Sequence, residues 1–347
     1  MRKPHKLQAG DIVAAVSLSR GTAATFPHRY EAGKKQLEAA FGVQVVEMPN
    51  TLKDADWLAK NPAARAEDLM RAFSDPSVKA IISTIGGDDS IRLLPHLGLE
   101  IMRANPKIFM GYSDTTISHM ACYRAGLTSF YGPSIMAGFA ENGGLFPYMV
   151  DSVRRTLFSS EPIGVINPNE EGWTSQRLDW ADPSNQAKKR ALHACSGWKV
   201  LQGTGIHQGH LLGGCFEVLD WLRGTSFFPE LQDWQDAILF LDTSEEAPPP
   251  VAVQRGLRTY ASMGILEKLS GILLGRPGGD TSVQDFELYD AAILQVVRDE
   301  QGLTALPIIT HMDFGHTDPM FILPYGVKAE IDCNMHTFSI LENAVVG

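Results

Sequence analysis

The sequence predicts a two-domain α/β protein whose first half contains parallel strands. Its 347 residues exceed what one average hydrophobic core organises, so two domains are expected. Between residues 11 and 126, β-branched runs alternate with segments of helical period, which is typical of parallel strands joined by crossover helices. A polar segment, 166–198, then separates this half from a second series of strand-like runs.

The first half divides into four strand–helix pairs. A glycine ends the first helix, a proline begins the second, and a glycine ends the last, which are ordinary helix boundaries. The predicted strands are 11–19, 43–49, 78–87 and 107–113, and the predicted helices are 28–42, 62–75, the short "SIRLLPHL" and 114–126.

The second half begins after a tryptophan-containing segment that reads as a linker or a lid. The predicted strands there are 237–244, 269–277 and 306–315, separated by helices near 250–264 and 284–300. The closing "LPYGVKAEIDCNMHTFSIL" alternates as paired antiparallel strands do. The predicted organisation is therefore a domain over 1–165, a linker or lid over 166–198 and a domain over 199–347.

Composition and charge restrict the class of partner. The chain is 44% hydrophobic and 20% charged, with a net charge of −10, which disfavours a nucleic-acid polymer or an anionic membrane as the main partner. The apolar run "IVAAV" near the start is too short for a signal peptide. No stretch approaches the roughly 20 apolar residues of a membrane span. We expect a cytoplasmic protein that acts on a small molecule.

The cysteines and histidines are not spaced along the sequence as metal ligands usually are. The histidine pair His207 and His210 lies among glycines that oppose a helix, and there is no H-E-x-x-H. The cysteines are too widely spread for a disulfide framework or a zinc site and are expected to be buried and reduced. We therefore predict neither a metal nor a cofactor. The cysteines are Cys122, Cys195, Cys215 and Cys333.

Two sharp turns follow predicted parallel strands, where α/β folds bind ligands. The glycines of "STIGGDDS" (83–90) could bring backbone N–H groups to a ligand or form a plain turn; the segment lacks a nucleotide phosphate-loop pattern. In "IFMGYSDTT" (108–116), Ser113 stands where a strand meets a helix. A serine there could be a nucleophile, or Ser113 or Asp114 could cap the helix.

A histidine and three acids follow later strands. His316 lies in the turn of "HMDFGHTDP" (311–319), with His311 as a rival, and either could be an ordinary solvated or core histidine. Asp242 directly follows the apolar "AILFL", whereas Glu245 and Glu246 read as solvated loop acids.

Six motifs in order resemble the LD-carboxypeptidase family of serine peptidases, and within it the branch similar to the microcin C self-immunity protein. They extend over nearly the whole chain. They are "STIGGDDSIRLLPHL", "IFMGYSDTT", "GHLLGGCFEVLDWLRGT", "AILFLDTSEEAPPP", "GILLGRPGGD" and "DFGHTDPMFILPYG".

The resemblance implies a catalytic triad and an oxyanion hole. Ser113 takes the nucleophile role, His316 the general-base role and Asp242 the role of the orienting acid. The oxyanion-hole amides fall at Gly87 and Asp114. These roles meet the chemical need, because serine is a weak nucleophile until a base accepts its proton, and the tetrahedral intermediate needs preplaced donors.

Two positions depart from the family pattern. Asp242 stands where glutamate is usual, so either the histidine turn lies closer to the strand or Glu245 or Glu246 orients the histidine. Aspartate serves this purpose in unrelated triads, and Asp242→Glu is expected to retain or raise activity. Cys215 stands where the family often has asparagine, which puts that pocket contact in doubt.

The resemblance also implies an architecture. A Rossmann-like parallel α/β domain carries the serine, and a C-terminal mainly-β domain of the swivelling type, with helices, carries the acid and the histidine. The active site lies in the cleft between them. The family implies a metal-independent enzyme that is often a homodimer.

The leading functional prediction is an LD-carboxypeptidase that cuts a muropeptide tetrapeptide near its free carboxylate. The alternative is hydrolysis of an aminoacyl- or peptidyl-nucleotide, with Trp173 and Trp180 stacking on the base; these tryptophans could equally pin the lid. A third possibility is a non-catalytic small-molecule-binding protein. Gly86, Asp88 and Arg276 are further candidates for substrate contact.

Overall fold

The strands of the molecule belong to two sheets. The computed structural model describes residues 1–195 and 197–347. In chain order the strands are β1 (Ile12–Val16), β2 (Gln44–Glu47), β3 (Val78–Ser83), β4 (Ile108–Gly111), β5 (Phe130–Tyr131), β6 (Gly164–Ile166), β7 (Lys199–Gln202), β8 (Ile206–Cys215), β9 (Ala237–Asp242), β10 (Gly271–Gly275), β11 (Ile308–Met312), β12 (Leu323–Pro324), β13 (Lys328–Asp332) and β14 (Thr337–Ile340).

Helices connect the parallel strands, and proline stands in the first turn of several of them, where its missing N–H costs nothing. They are α1 (Thr22–Thr25), α2 (Pro27–Phe41), α3 (Ala55–Lys60), α4 (Pro62–Ser74), α5 (Leu99–Ala104), α6 (Thr116–Arg124), α7 (Pro147–Leu157), α8 (Phe216–Leu222), α9 (Pro250–Ser262) and α10 (Phe286–Leu294).

The first sheet has the order β12-β5-β4-β3-β1-β2. Its strands from β5 to β2 are parallel, and β12 joins the edge antiparallel to β5. The strand order reverses between β1 and β3, so their carboxyl ends form the crevice where open α/β sheets bind ligands. The predicted parallel α/β architecture of this half is confirmed.

The second sheet has the order β6-β14-β13-β8-β9-β10-β11-β7. Strands β8 to β11 are parallel, and antiparallel strands flank them on both sides. Helices α8, α9 and α10 cross between these strands, so this half is the predicted second sheet-based unit with helices.

The chain crosses between the sheets at two places that the predicted boundaries miss. Strand β6 spans the predicted end of the first domain yet pairs with β14 of the second sheet, and β12 lies in the predicted second domain yet pairs with β5. Short edge strands of two or three residues carry little hydrophobic pattern, so sequence periodicity does not reveal their sheet. The two halves are therefore interlocked at these edges.

The central parallel strands are buried on both faces, as apolar β-branched runs predict. Every residue of β4, β9 and β10 is buried. Helices end close to the predicted residues, although the predicted helix over 114–126 begins with a single 3₁₀ turn at 113–115 and continues as α6. Within the described residues, no helix has both the length and the apolar character needed to cross a membrane.

Candidate active site

The turn after β4 holds Ser113 in a strained backbone conformation. Its φ is +61°, in the left-handed region that non-glycine residues seldom adopt. Ser113 makes no side-chain capping hydrogen bond to the helix that follows. The carboxylate of Asp114 accepts from the backbone N–H of Ser90, at 2.9 Å, instead of capping the helix. The capping alternative is therefore wrong for both residues, and the strained turn is typical of a nucleophile elbow.

Asp242 and His316 form a buried pair at the other side of the site. Asp242 is the last residue of β9 and is 2% exposed. Its Oδ2 lies 2.5 Å from Nδ1 of His316, which sits in the turn after β11. Of the three acids that the sequence left open, Asp242 is the one at this ring nitrogen.

A tyrosine joins the two halves of the site. The hydroxyl of Tyr131, at the end of β5, donates to Asp242 Oδ1 at 2.5 Å and accepts from the backbone N–H of Ser113 at 3.1 Å. Burial and then the charge of Asp242 hold the pKa of Tyr131 well above its ordinary value. The tyrosine thus remains a donor and ties the serine turn to the acid.

Close backbone approach compensates for the short side chain of Asp242. Gly315, with φ +91°, precedes the histidine, and a Cβ there would lie 2.4 Å from Cβ and 2.5 Å from Cγ of Asp242. Glycine is therefore required, since any side chain would push the turn away from the strand. The close approach of Gly315 to Asp242 fits the first of the two arrangements that the sequence left open, a histidine turn near the strand.

Glu245 is not the solvated loop acid that the sequence predicts. Its Oε2 lies 3.3 Å from Nε2 of His316, and its side chain is 35% exposed. Glu246 is exposed, as predicted. This contact with His316 lowers the pKa of Glu245 to about 2 despite partial burial.

His316 is held as an imidazolium in this arrangement. Burial alone would lower its pKa, but the charge and hydrogen bond of Asp242, together with Glu245, raise it to about 10. Among the described residues, Nε2 has no hydrogen-bond partner of good geometry. The hydroxyl of Ser113 is therefore not hydrogen-bonded to the histidine in this structure.

The glycine-rich turn after β3 lies against the serine. A Cβ on Gly86 would approach Ser113 Oγ to 3.1 Å and the amide nitrogen of Asp114 to 3.4 Å. Gly87 follows with φ +151° and lines the same cavity as Ser113. The Ser90–Asp114 hydrogen bonds fasten this turn to the serine turn, so Gly87 and Asp114, the predicted oxyanion-hole residues, lie in two connected turns.

The site opens into a cavity of about 450 Å³ between the two sheets. The 166–198 segment covers it and contributes Arg177, Trp180 and Arg190 to its lining. Arg190 pairs with the buried Glu141 and, at 2.8 Å, with Asp318 in the histidine turn. The polar segment is therefore a lid that is tied to both halves of the molecule.

Trp180 and Arg29 lie together in this cavity, and Arg177 also lines it, within reach of the charge of Glu245. The Arg29 guanidinium lies 4.1 Å from the centre of the Trp180 ring and bonds only to uncharged oxygens of Met136, Asn142 and Gln186. In the part of the chain that the structure describes, Arg177 has no ion-pair partner. The cavity thus offers an aromatic ring beside the Arg29 guanidinium, and neither Arg29 nor Arg177 forms a close ion pair among the described residues.

Three predicted substrate contacts lie outside the described cavity lining. Asp88 is exposed and pairs with Arg20 at 2.9 Å. Trp173 is buried, stacked on His193 with ring centres 4.5 Å apart. Arg276 is buried against Trp173 and pairs with Asp313 at 2.5 Å. In this structure their polar groups or rings contact neighbouring residues, and their part in substrate contact stays a prediction.

The fold brings together one set of metal-ligand types that sequence spacing does not reveal. Ligand atoms of Cys215, Asp242 and His316 lie within 4.8 Å of one another. Two of these residues already share a hydrogen bond through the atoms nearest each other. Burial, and then the charge of Asp242, holds the pKa of the Cys215 thiol well above its ordinary value, which opposes the thiolate that a metal requires.

Sequence reasoning missed Tyr131 and Arg190. Tyr131 ends a strand of only two residues, too short for a periodic signal, although "SFYGPS" does end beside the serine strand. Arg190 stands in a lid without regular periodicity, where only the fold reveals its partners.

Comparisons with known proteins agree with this architecture. The sequence model of the LD-carboxypeptidase N-terminal domain family matches residues 13–132, and that of the C-terminal domain family matches residues 208–331. A murein tetrapeptide carboxypeptidase of Pseudomonas aeruginosa is 35% identical over 285 residues, which cover 80% of each chain.

Two further relatives belong to the microcin immunity branch. The microcin C7 self-immunity protein MccF of Escherichia coli is 29% identical over 97% of this chain and 94% of its own. A solved protein of that name in complex with aspartyl sulfamoyl adenosine superposes with a TM-score of 0.82, at 26% identity and full coverage of both chains. An MccF-like protein from Streptococcus pneumoniae in complex with AMP gives a TM-score of 0.86, at 32% identity over 95% of this chain and 98% of its own. With both domain models matched in order, this chain belongs to the LD-carboxypeptidase family.

Proposed function

We propose that the protein is a serine hydrolase that cleaves the bond between an aminoacyl group and a nucleotide-like leaving group. The observation that carries this proposal is a single cavity containing Ser113, His316 and Trp180. One part of that cavity contains the residues needed for acyl transfer, and another contains the Trp180 ring beside the Arg29 guanidinium.

In the proposed reaction, Ser113 Oγ attacks the acyl carbon while His316 Nε2 accepts the hydroxyl proton. Asp242 holds the opposite ring nitrogen and stabilises the imidazolium that forms. The backbone N–H groups of Gly87 and Asp114 donate to the oxyanion, each worth about 3 kcal/mol in comparable sites. His316 then gives its proton to the leaving nitrogen, and water releases the acyl group by the reverse steps.

The nucleotide-like leaving group is inferred from the cavity end near Trp180. A base stacked on an aromatic ring gains about 1–3 kcal/mol, and Arg29 and Arg177 suit an anionic phosphate or sulfamate. Ligands of this kind occupy two of the related solved structures. The sequence analysis favoured a muropeptide; the cavity favours the alternative that it set second.

A muropeptide tetrapeptide remains the second candidate. The observation that favours it is the 35% identity with the Pseudomonas murein tetrapeptide carboxypeptidase. The same serine, histidine and acid would act on it, and only the occupant of the Trp180 end would differ.

The test offers both substrates to the wild-type protein and to Ser113→Ala. We expect wild type to release aspartate from aspartyl sulfamoyl adenosine, followed by mass spectrometry, and Ser113→Ala to bind without turnover. Trp180→Ala should weaken AMP binding about tenfold, while the matched control Trp173→Phe, in the buried cluster, should leave it unchanged. Cleavage of the tetrapeptide alone would establish the second candidate, and binding without turnover of either substrate would indicate a non-catalytic protein.

A further inference from the structure

Glu245 occupies the position that the serine must take at the histidine. Its Oε2 is 3.3 Å from Nε2 of His316, the ring nitrogen opposite the one that faces Asp242. Since the proposed reaction moves the serine proton to Nε2, a carboxylate at this point competes with Ser113.

The surroundings of His316 favour its contact with Glu245 over one with Ser113 in this structure. The His316 side chain is only 5% exposed, so water screens the contact weakly. The other groups that face the ring are Asp242 and the Tyr112 ring, whose centre lies 5.0 Å away, with Cys215 behind the acid. Asp318, in the same turn, is held by Arg190. A ring placed between two carboxylates is stabilised in its protonated form, which cannot accept a proton from serine.

The loop position of Glu245 allows its carboxylate to move away from His316. It lies three residues beyond the end of β9, in a loop that continues into prolines, and its side chain is partly exposed. Arg20 and Arg177 both interact with its charge from the cavity side. A cation that enters the cavity would compete with His316 for the same carboxylate.

We propose that Glu245 is a substrate-displaced latch, which holds His316 away from Ser113 until the ammonium group of a substrate draws the carboxylate to itself. The proposal rests on the proposed function, because it takes His316 as the base for Ser113. It names a substrate class: acyl groups with a free α-ammonium, as in an aminoacyl-nucleotide. An acyl residue within a peptide, such as that of a muropeptide, has an uncharged α-nitrogen and does not release the latch.

The first test measures binding without turnover. In the Ser113→Ala protein, we compare the affinities of aspartyl sulfamoyl adenosine and its N-acetyl derivative by calorimetry. We expect the free amine to bind at least tenfold tighter, Glu245→Gln in that background to remove this preference, and Glu246→Gln, at an exposed neighbouring acid, to preserve it. A preference that survives Glu245→Gln, or no preference at all, overturns the latch.

The second test follows the histidine itself. NMR titration of the His316 ring should show a lower pKa in Glu245→Gln than in wild type and no change in Glu246→Gln. An unchanged pKa in Glu245→Gln overturns the proposal even if activity changes. If wild type hydrolyses both ligands equally well, the hydrolase function is supported and the latch is refuted. If neither ligand binds, the proposed function is refuted, and so is the preference for an ammonium group that depends on it.

Discussion

The carboxylates of Asp242 and Glu245 both contact the imidazole of His316, but the first lies on a buried strand and the second in a loop. Asp242 ends a fully buried strand, accepts hydrogen bonds from Tyr131 and His316, and has the backbone of Gly315 against it. Glu245 stands in the loop beyond, is partly exposed, and meets the same ring only through one 3.3 Å contact.

This difference suits Asp242 to orienting the His316 ring and Glu245 to controlling when the ring can act as a base. A carboxylate on a strand with its oxygens occupied can hold one tautomer of the histidine throughout the reaction. A carboxylate on a loop can change partner when the cavity fills. We therefore assign the constant role at His316 to Asp242 and the variable one to Glu245.

Replacing Ser113 should abolish the hydrolysis that Asp242 and Glu245 both influence. Ser113→Ala is expected to reduce kcat by about 10⁶, the loss found when the nucleophile of a comparable triad is removed, with ligand affinity retained. The matched control is Ser113→Gly, which is equally inactive but relieves the left-handed backbone strain, so its free energy of unfolding should exceed that of Ser113→Ala by about 1 kcal/mol. Wild-type turnover by folded Ser113→Ala would refute the nucleophile assignment.

Asp242→Asn should separate the two acids most sharply. An amide cannot stabilise the imidazolium and can favour the wrong tautomer, so kcat should fall by about 10⁴. Steady-state kinetics beside Glu245→Gln measures the contrast. If Glu245→Gln lost more kcat than Asp242→Asn, the roles would be reversed.

Asp242→Glu should lower activity, contrary to the expectation from the family pattern. The carboxylate already lies 2.5 Å from the histidine, and Gly315 leaves no room behind it. One more methylene must displace the ring by about 1 Å, which can cost on the order of 10²-fold in kcat. An increase in kcat would show that the turn adapts more freely than its packing suggests.

Tyr131→Phe should loosen the connection between the serine turn and the acid. The Asp242 carboxylate would lose a buried donor worth about 1.5–3 kcal/mol, so kcat should fall about 10- to 100-fold and the thermal midpoint should drop. Calorimetry and kinetics on the same preparation check both. Unchanged kcat would mean that His316 and Gly315 position Asp242 without help.

Glu245→Gln should shift the pH dependence rather than abolish activity. In the free enzyme His316 must lose a proton to act as base, and its pKa is about 10, so kcat/KM of an N-acetyl substrate should rise with pH towards that value. Without the Glu245 charge the pKa falls, and the rise should move to lower pH. Glu246→Gln is the control with an unchanged profile, and an identical profile for Glu245→Gln would contradict the variable role.

The sequence predicts the parts of this site that follow long apolar strands. Asp242 and Ser113 come directly after buried runs, and strand periodicity together with the family motifs locates both. Glu245 could not be assigned in this way, because a loop acid next to prolines looks solvated until the fold brings the histidine turn beside it. The same holds for the exchange of β6 and β12 between the sheets, since two- or three-residue strands have no period to read.

The sequence also does not show which of the two tryptophans, Trp173 or Trp180, faces the cavity. Trp173 and Trp180 lie seven positions apart in one polar segment, and composition does not distinguish them. The fold buries the first beneath Arg276 and presents the second to the cavity. Only the long-range contacts of the lid decide which aromatic ring is available to a ligand.

The central claim is that Ser113 is a nucleophile activated by His316, and labelling with a fluorophosphonate tests it most directly. We expect intact-mass analysis to show a single adduct, peptide mapping to locate it at Ser113, and its rate to fall by orders of magnitude in His316→Gln. An adduct on another residue, or labelling of His316→Gln at the wild-type rate, would contradict the account.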